Sequence, residues 1–88
     1  MRVEKIKIEY DRNEKPMCIS MTIEDKDGES YTIEAVRTKL EEEFTIAVSV
    51  PKRTLLMKEL CELEKYAREF FRILKEKVYD ELLREVVK

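Results

Sequence analysis

The chain has no His, Trp or Gln, one Gly (Gly28), one Asn (Asn13), two Pro and two Cys in 88 residues. Each shortage closes off a class of function. Without imidazole there is no ordinary general base near neutral pH, and Cys18 and Cys61 alone cannot complete a four-ligand zinc site. A single Gly rules out the Walker and dinucleotide loops that cradle phosphates. Two cysteines are too few for a disulfide framework, which predicts reduced thiols and a cytoplasmic location. No run approaches the ~18 consecutive apolar residues of a membrane span. The N-terminal MRVEKIKIEY alternates charge with hydrophobe, unlike a signal or transit peptide. Ser20, Ser30 and Ser49 lack neighbours that activate a hydroxyl, so the expectation is no enzyme, no metal and no cofactor.

Charge is what the chain has in excess. Lys, Arg, Asp and Glu make up 43% of it, against ~25% in ordinary soluble domains. High Glu and Lys with few amides and little Gly predicts a thermophile protein. Residues 1–50 hold eight Lys/Arg against twelve Asp/Glu, net −4, while residues 51–88 hold ten against eight, net +2. Neither half carries the strong basic field of a nonspecific nucleic-acid binder.

Residues 1–50 read as strands of period two. Ile6, Ile8 and Tyr10 share one face of the first, with Val3, Lys5, Lys7 and Glu9 on the other. Met17, Ile19, Met21 and Ile23 alternate with Cys18, Ser20, Thr22 and Glu24. Tyr31, Ile33 and Ala35 alternate with Thr32, Glu34 and Val36, and Phe44, Ile46, Val48 and Val50 with Thr45, Ala47 and Ser49. Asp11–Lys15 is a polar turn, and Asp25–Gly28 puts the only Gly where a short hairpin needs a positive φ. The spacing of Ile33, Val36, Leu40 and Phe44 leaves 36–43 open between strand, loop and short helix.

One sheet face is apolar and needs a cover, which only the C-terminal segment supplies. Pro51 suits a first helical turn, so residues 52–87 read as one amphipathic helix of ~54 Å, twice the ~27 Å of the strands. The expected fold is α+β: one domain over 1–88, with a four-stranded antiparallel meander (1–50) and one long helix (51–88). Half of that helix should overhang its sheet. The stripe Leu56, Leu60, Leu63, Ala67, Phe70, Leu74 steps by four and three, then shifts to fours through Val78, Leu82 and Val86, turning around the helix. Phe70, Phe71, Leu74, Val78, Leu82 and Val86 are therefore the candidate interface of a helix-mediated homodimer, or of a complex with another protein.

Other motifs favour plainer readings. Asp25-Lys26-Asp27-Gly28-Glu29 starts like a calcium loop but lacks the helix that should follow, so a hairpin turn is expected. Glu41-Glu42-Glu43 reads as a solvated run. Glu59, Glu62 and Glu69 each have a Lys or Arg three or four residues away, which predicts helix-face ion pairs.

The order of four strands and then a helix, over about residues 2–75, resembles the positive-cofactor-4 and Whirly-type single-strand DNA binders. That resemblance implies a dimer that binds nucleic acid along its sheet. Lys5, Lys7, Arg37, Lys52 and Arg53 are the residues available for it here, although the polar face shows no aromatic side chain for base stacking. The expected function is a small non-enzymatic binding or scaffolding protein, with single-stranded nucleic-acid binding as the alternative.

Overall fold

The structure, a computed structural model, describes residues 1–37 and 44–79, with side chains as far as Lys77. Strands β1 (Arg2–Tyr10), β2 (Pro16–Glu24), β3 (Ser30–Val36) and β4 (Thr45–Ser49) form one antiparallel sheet in the order β1-β2-β3-β4. Helix α1 (Met57–Leu74) follows and continues into a wider π-helical stretch, Lys75–Tyr79. The fold is therefore α+β, a meander followed by one helix.

The two tight hairpins share one construction. At β1–β2, Asp11 N donates to Lys15 O (2.9 Å) and Glu14 N to Asp11 O (3.1 Å). At β2–β3, Asp25 N donates to Glu29 O (3.0 Å) and Gly28 N to Asp25 O (3.1 Å). Each leading aspartate turns Oδ1 inward to accept two loop N–H groups, Asn13 and Lys15 for Asp11, Asp27 and Glu29 for Asp25. Short polar side chains that accept from their own loop make such turns. Asp25 is thus a turn anchor, and the calcium-like DKDGE run is a hairpin.

Pairing across the strands fixes which side chains share a face. Ile8, Ile19 and Ala35 form one row, and Ile6, Met21, Ile33 and Val48 the next. The buried core is Ile19, Met21, Ile23, Tyr31, Ile33 and Ala35 from the two central strands, with Leu63, Phe70 and Leu74 from α1. Every core strand residue is one that alternation placed on the apolar face. Two expected placements differ. A register shift between Val3 and Lys5 sets Val3 opposite Ile23, so Val3 leaves the Lys5/Lys7 face. A second shift after Glu9 pairs Tyr10 with Pro16, and burial passes from Met17 to Pro16.

The helix also begins later than its sequence suggests. Lys52 to Leu56 are not helical, and α1 starts at Met57 with Leu56 as its extended N-cap (φ −77°, ψ 151°). The reason is distance: the chain must climb from the sheet plane to a helix layer on the order of 10 Å above it, and a helix begun at Pro51 would gain height too slowly. Eighteen α-helical residues extend ~27 Å, close to the ~30 Å of a nine-residue strand. The described helix therefore matches its sheet, and the expected overhang does not begin before Leu74. At Lys75 the backbone widens to the π-helical pattern, in which each residue advances by less than the α-helical 100°. That change coincides with the shift of the apolar stripe from alternating threes and fours to fours. Residues 38–43, including the acidic run and the undecided strand-or-helix segment, lie outside the described residues, as do Leu82 and Val86.

Candidate functional site

Two features stand out once the fold is assembled: an ion cluster centred on Arg53, and an apolar flank that the helix leaves open.

Arg53 sits in the β4–α1 connection and reaches back to the β2–β3 hairpin. Its guanidinium grips Glu59 with two hydrogen bonds (Nη1–Oε1 3.0 Å, Nη2–Oε2 2.5 Å) and donates from Nε to Glu29 Oε2 at 2.7 Å. Asp25 Oδ2 lies 3.6 Å from Nη2. The phenol of Tyr31 accepts from Arg53 Nη2 (3.2 Å) and lies within donating distance of Glu59 Oε2 (3.0 Å) and Asp25 Oδ2 (3.3 Å). Glu59 also accepts the N–H of Leu56 at 2.9 Å, the half of a capping box that a Leu N-cap leaves available. One carboxylate thus starts the helix, anchors the linker and ties both to the core tyrosine.

The electrostatics follow from these contacts. Arg53, and after it the Leu56 N–H, pull the Glu59 carboxyl down to about 2. Burial, reinforced by Glu59, pushes the Tyr31 phenol up to about 12. Arg53 itself is raised by Glu59 and Glu29. A cleft of about 360 Å³ adjoins the cluster, and Lys26 and Lys58 share its walls with Asp25, Asp27 and Glu62. With both signs lining it and the arginine already engaged, the cluster acts as a clasp between elements.

A second arginine does the same at the other hairpin. Arg37 Nη2 donates to Asp11 Oδ2 (3.1 Å) and to Pro16 O (3.3 Å), with its guanidinium 6.0 Å from the Phe44 ring centroid. Sequence reading missed these long-range pairs. Of the three helix glutamates, Glu69 does pair locally, with Arg72. Glu59 instead holds Arg53, and Glu62 lies 3.3 Å from the Met1 amino group. Beside it the Tyr66 hydroxyl donates to Met1 O at 2.5 Å.

The five basic residues named for nucleic acid do not assemble into one patch. Lys5 and Lys7 project from the polar face, where Lys7 pairs with Glu9 at 2.9 Å. Arg37 and Arg53 are held at opposite ends of the sheet by Asp11 and by the Glu59 cluster, and Lys52 is exposed.

The open flank is apolar. Along α1, Glu62 and Tyr66 face the β1 side, where they meet Met1. Leu60, Ala67 and Phe71 lie across the buried stripe from them, on the side of β4. Leu60 and Phe71 are exposed, Phe71 at 48%. Beneath this flank the core-facing residues of β4 are also open, Ile46 at 50% and Val48 at 53%, and Val50 continues the row. Of the six residues expected at an interface, Phe70 and Leu74 instead belong to the core of their own chain. Phe71 stands on the open flank, and the side chain of Val78 lies outside the description along with Leu82 and Val86.

Cys18 and Cys61 are free, on opposite sides of the sheet. Cys18 Sγ is 3.7 Å from Glu34 Oε1. Burial, then Glu34 and Glu9, push its thiol up, the reverse of what a nucleophile needs. Among the described residues no group of three or more His, Cys, Asp or Glu is placed to hold a metal, and no helix is long and apolar enough to cross a membrane. Comparison with protein-family models, curated proteins and solved structures finds no match to this chain.

Proposed function

We propose that this chain is a small non-enzymatic binding or scaffolding module that self-associates through the flank of its helix. The observation that carries this reading is the pair of exposed rows, Leu60 and Phe71 on α1 beside Ile46 and Val48 on β4. They place four half-exposed large apolar side chains on the β4 side of the molecule, and apolar patches of this kind are often association sites. The non-catalytic half rests on side-chain chemistry: the sequence has no imidazole, the thiol of Cys18 is raised, and the strongest acid–base cluster is closed on itself. A reducing, cytoplasmic setting fits the free cysteines, and the excess of charge fits a thermophilic source.

Light scattering on a sizing column, over a range of chain concentrations around micromolar, tests the reading. A mass of two chains or more, falling on dilution, is expected. A single-chain mass throughout sinks it. The nucleic-acid reading gains no observation, because Arg37 and Arg53 are engaged by acids.

A further inference from the structure

We infer that two copies of this chain join edge to edge through β4, antiparallel about a two-fold axis at Ala47, into one eight-stranded sheet. The inference rests on the self-association proposed above and specifies its geometry.

Both sheet edges are strands with unpaired backbone groups among the described residues, and the chain treats them differently. The β1 edge carries Arg2, Glu4, Lys5, Lys7 and Glu9 and two register shifts. Charges and bulges of this kind discourage another strand from docking. The β4 edge carries neither. From Phe44 to Pro51 the sequence is FTIAVSVP, eight residues without a charge in a chain that is 43% charged, and the β3–β4 register runs unbroken from Thr32↔Ser49 to Val36↔Thr45. An uncharged edge of regular register is a template for strand addition.

The partner is identified by the strand's own symmetry. Antiparallel pairing about Ala47 sets Ile46 opposite Val48 of the second copy on the apolar face. It sets Thr45 opposite Ser49, and Ala47 opposite itself, on the polar face. These are β-branched and hydroxyl cross-strand pairs, which stabilise a ladder, and none of the residues paired here carries a charge. The chain leaves β4 at the end where α1 begins and returns over the sheet, so α1 runs opposite to β4. The two-fold therefore turns Leu60 of one copy toward Phe71 of the other across the seam. Ile46, Val48, Val50, Leu60 and Phe71 are each about half exposed and present on the order of 400 Å² of apolar surface per copy, below the ~800 Å² of a standard interface. The dimer is thus a reversible one.

The test combines cross-linking with charge placement in the full chain, with Cys18→Ser and Cys61→Ser removing the native thiols. Ala47→Cys brings two thiols together at an antiparallel Cα separation of ~4.5–5.5 Å, within the range a disulfide spans. Mild oxidation is expected to give a covalent dimer, and Thr32→Cys, on the same face of β3, is expected to give none. In a second arm, Thr45→Lys with Ser49→Lys opposes lysine to lysine and is expected to raise the dimer dissociation constant about tenfold or more. Thr45→Lys with Ser49→Glu opposes unlike charges and is expected to restore it. A dimer that neither cross-links through position 47 nor responds to these charges overturns the β4 pairing while leaving self-association intact. A single-chain mass at every concentration overturns both.

Discussion

Glu14 and Gly28 occupy the same position in two hairpin loops with matching hydrogen bonds, and both are left-handed, at φ 61° and 81°. Glycine reaches that conformation without strain, whereas a residue with a Cβ is held there at a cost of roughly 1–2 kcal/mol. Part of the gain from relieving it is offset by the greater freedom glycine has when unfolded, roughly 0.5–1 kcal/mol. Glu14→Gly is therefore expected to stabilise the protein by about 0.5 kcal/mol, raising Tm by a few degrees. Gly28→Ala is expected to destabilise it by about 1 kcal/mol. A Cβ at Gly28 meets only Glu24 Oε1, at 4.0 Å, so backbone strain and not a clash sets that loss. Thermal unfolding of the two variants beside the parent decides the matter, and a lower Tm for Glu14→Gly refutes the argument.

Acid should unfold the protein through the clasp. Glu59 falls to about 2, chiefly through Arg53, and Asp11 is lowered first by the Lys15 N–H. Burial pushes Asp25 up, but the Glu29 and Asp27 N–H groups, together with Tyr31 and Arg53, hold this carboxyl low as well. A carboxyl depressed in the folded state contributes stability that is present above its unfolded value, near 4.5 for Glu59, and is lost as pH falls toward 2. The Tm is expected to hold from neutral pH to about 5 and then decline steeply. Arg53→Met should lower Tm at neutral pH and flatten the decline, because Glu59 then titrates nearer its unfolded value. An unchanged slope argues against the clasp.

At the alkaline end the sign reverses. Tyr31 is raised from 10.0 to about 12, so its contribution is complete below 10 and disappears as pH climbs through 12. Tyr31→Phe keeps the buried ring and removes the titrating group. The variant should be less stable at neutral pH, having lost the hydroxyl contacts to Arg53 and Glu59. Its Tm should also fall less between pH 10 and 12 than that of the parent.

What the sequence makes legible follows physical range. The meander can be read because alternation and turn chemistry act over neighbouring residues: Ile19, Met21 and Ile23 alternate within one strand, and Asp25 anchors a loop only five residues long. Val3 was misplaced because the register shift beside Glu4 breaks the period of two without any Gly or Pro to mark it. Pro51 marks a boundary, but it marks the climb from the sheet and not the helix start at Met57. The Arg53 cluster was invisible because it joins the linker to Glu29, 24 residues away, and such pairings appear only once the sheet has formed. The repeated offset Asp11–Glu14 and Asp25–Gly28 is the sequence signal that marks Glu14 as the left-handed position.

The cysteines should separate by reactivity. Cys61 is exposed on α1, whereas Cys18 is half-buried beside Glu34 with its thiol raised. Because the thiolate is the reacting species, iodoacetamide near neutral pH is expected to modify Cys61 first and Cys18 much more slowly. Mass spectrometry of single-cysteine variants, Cys18→Ser and Cys61→Ser, reads the two rates. Equal rates contradict the placement of Cys18.

Phe70 and Phe71 are adjacent in sequence and opposite in consequence. Phe70 is 2% exposed in the core, so Phe70→Ala should cost about 3–5 kcal/mol, a large share of the ~5–15 kcal/mol that holds a small domain. Phe71 is half exposed, and its ring faces Lys75 Nζ at 4.9 Å. Phe71→Ala should change chain stability by no more than about 1 kcal/mol, the exposed cation–π contact being its main loss. Phe71→Glu, which sets a charge in the proposed flank, is expected to shift the population toward single chains while circular dichroism stays that of the parent. Leu82→Glu with Val86→Glu extends the test to the C-terminal end of the apolar stripe and is expected to weaken association further. If Phe71→Glu leaves the mass by light scattering unchanged where the parent is a dimer, the helix flank is not the contact. The association then belongs to another face of the molecule.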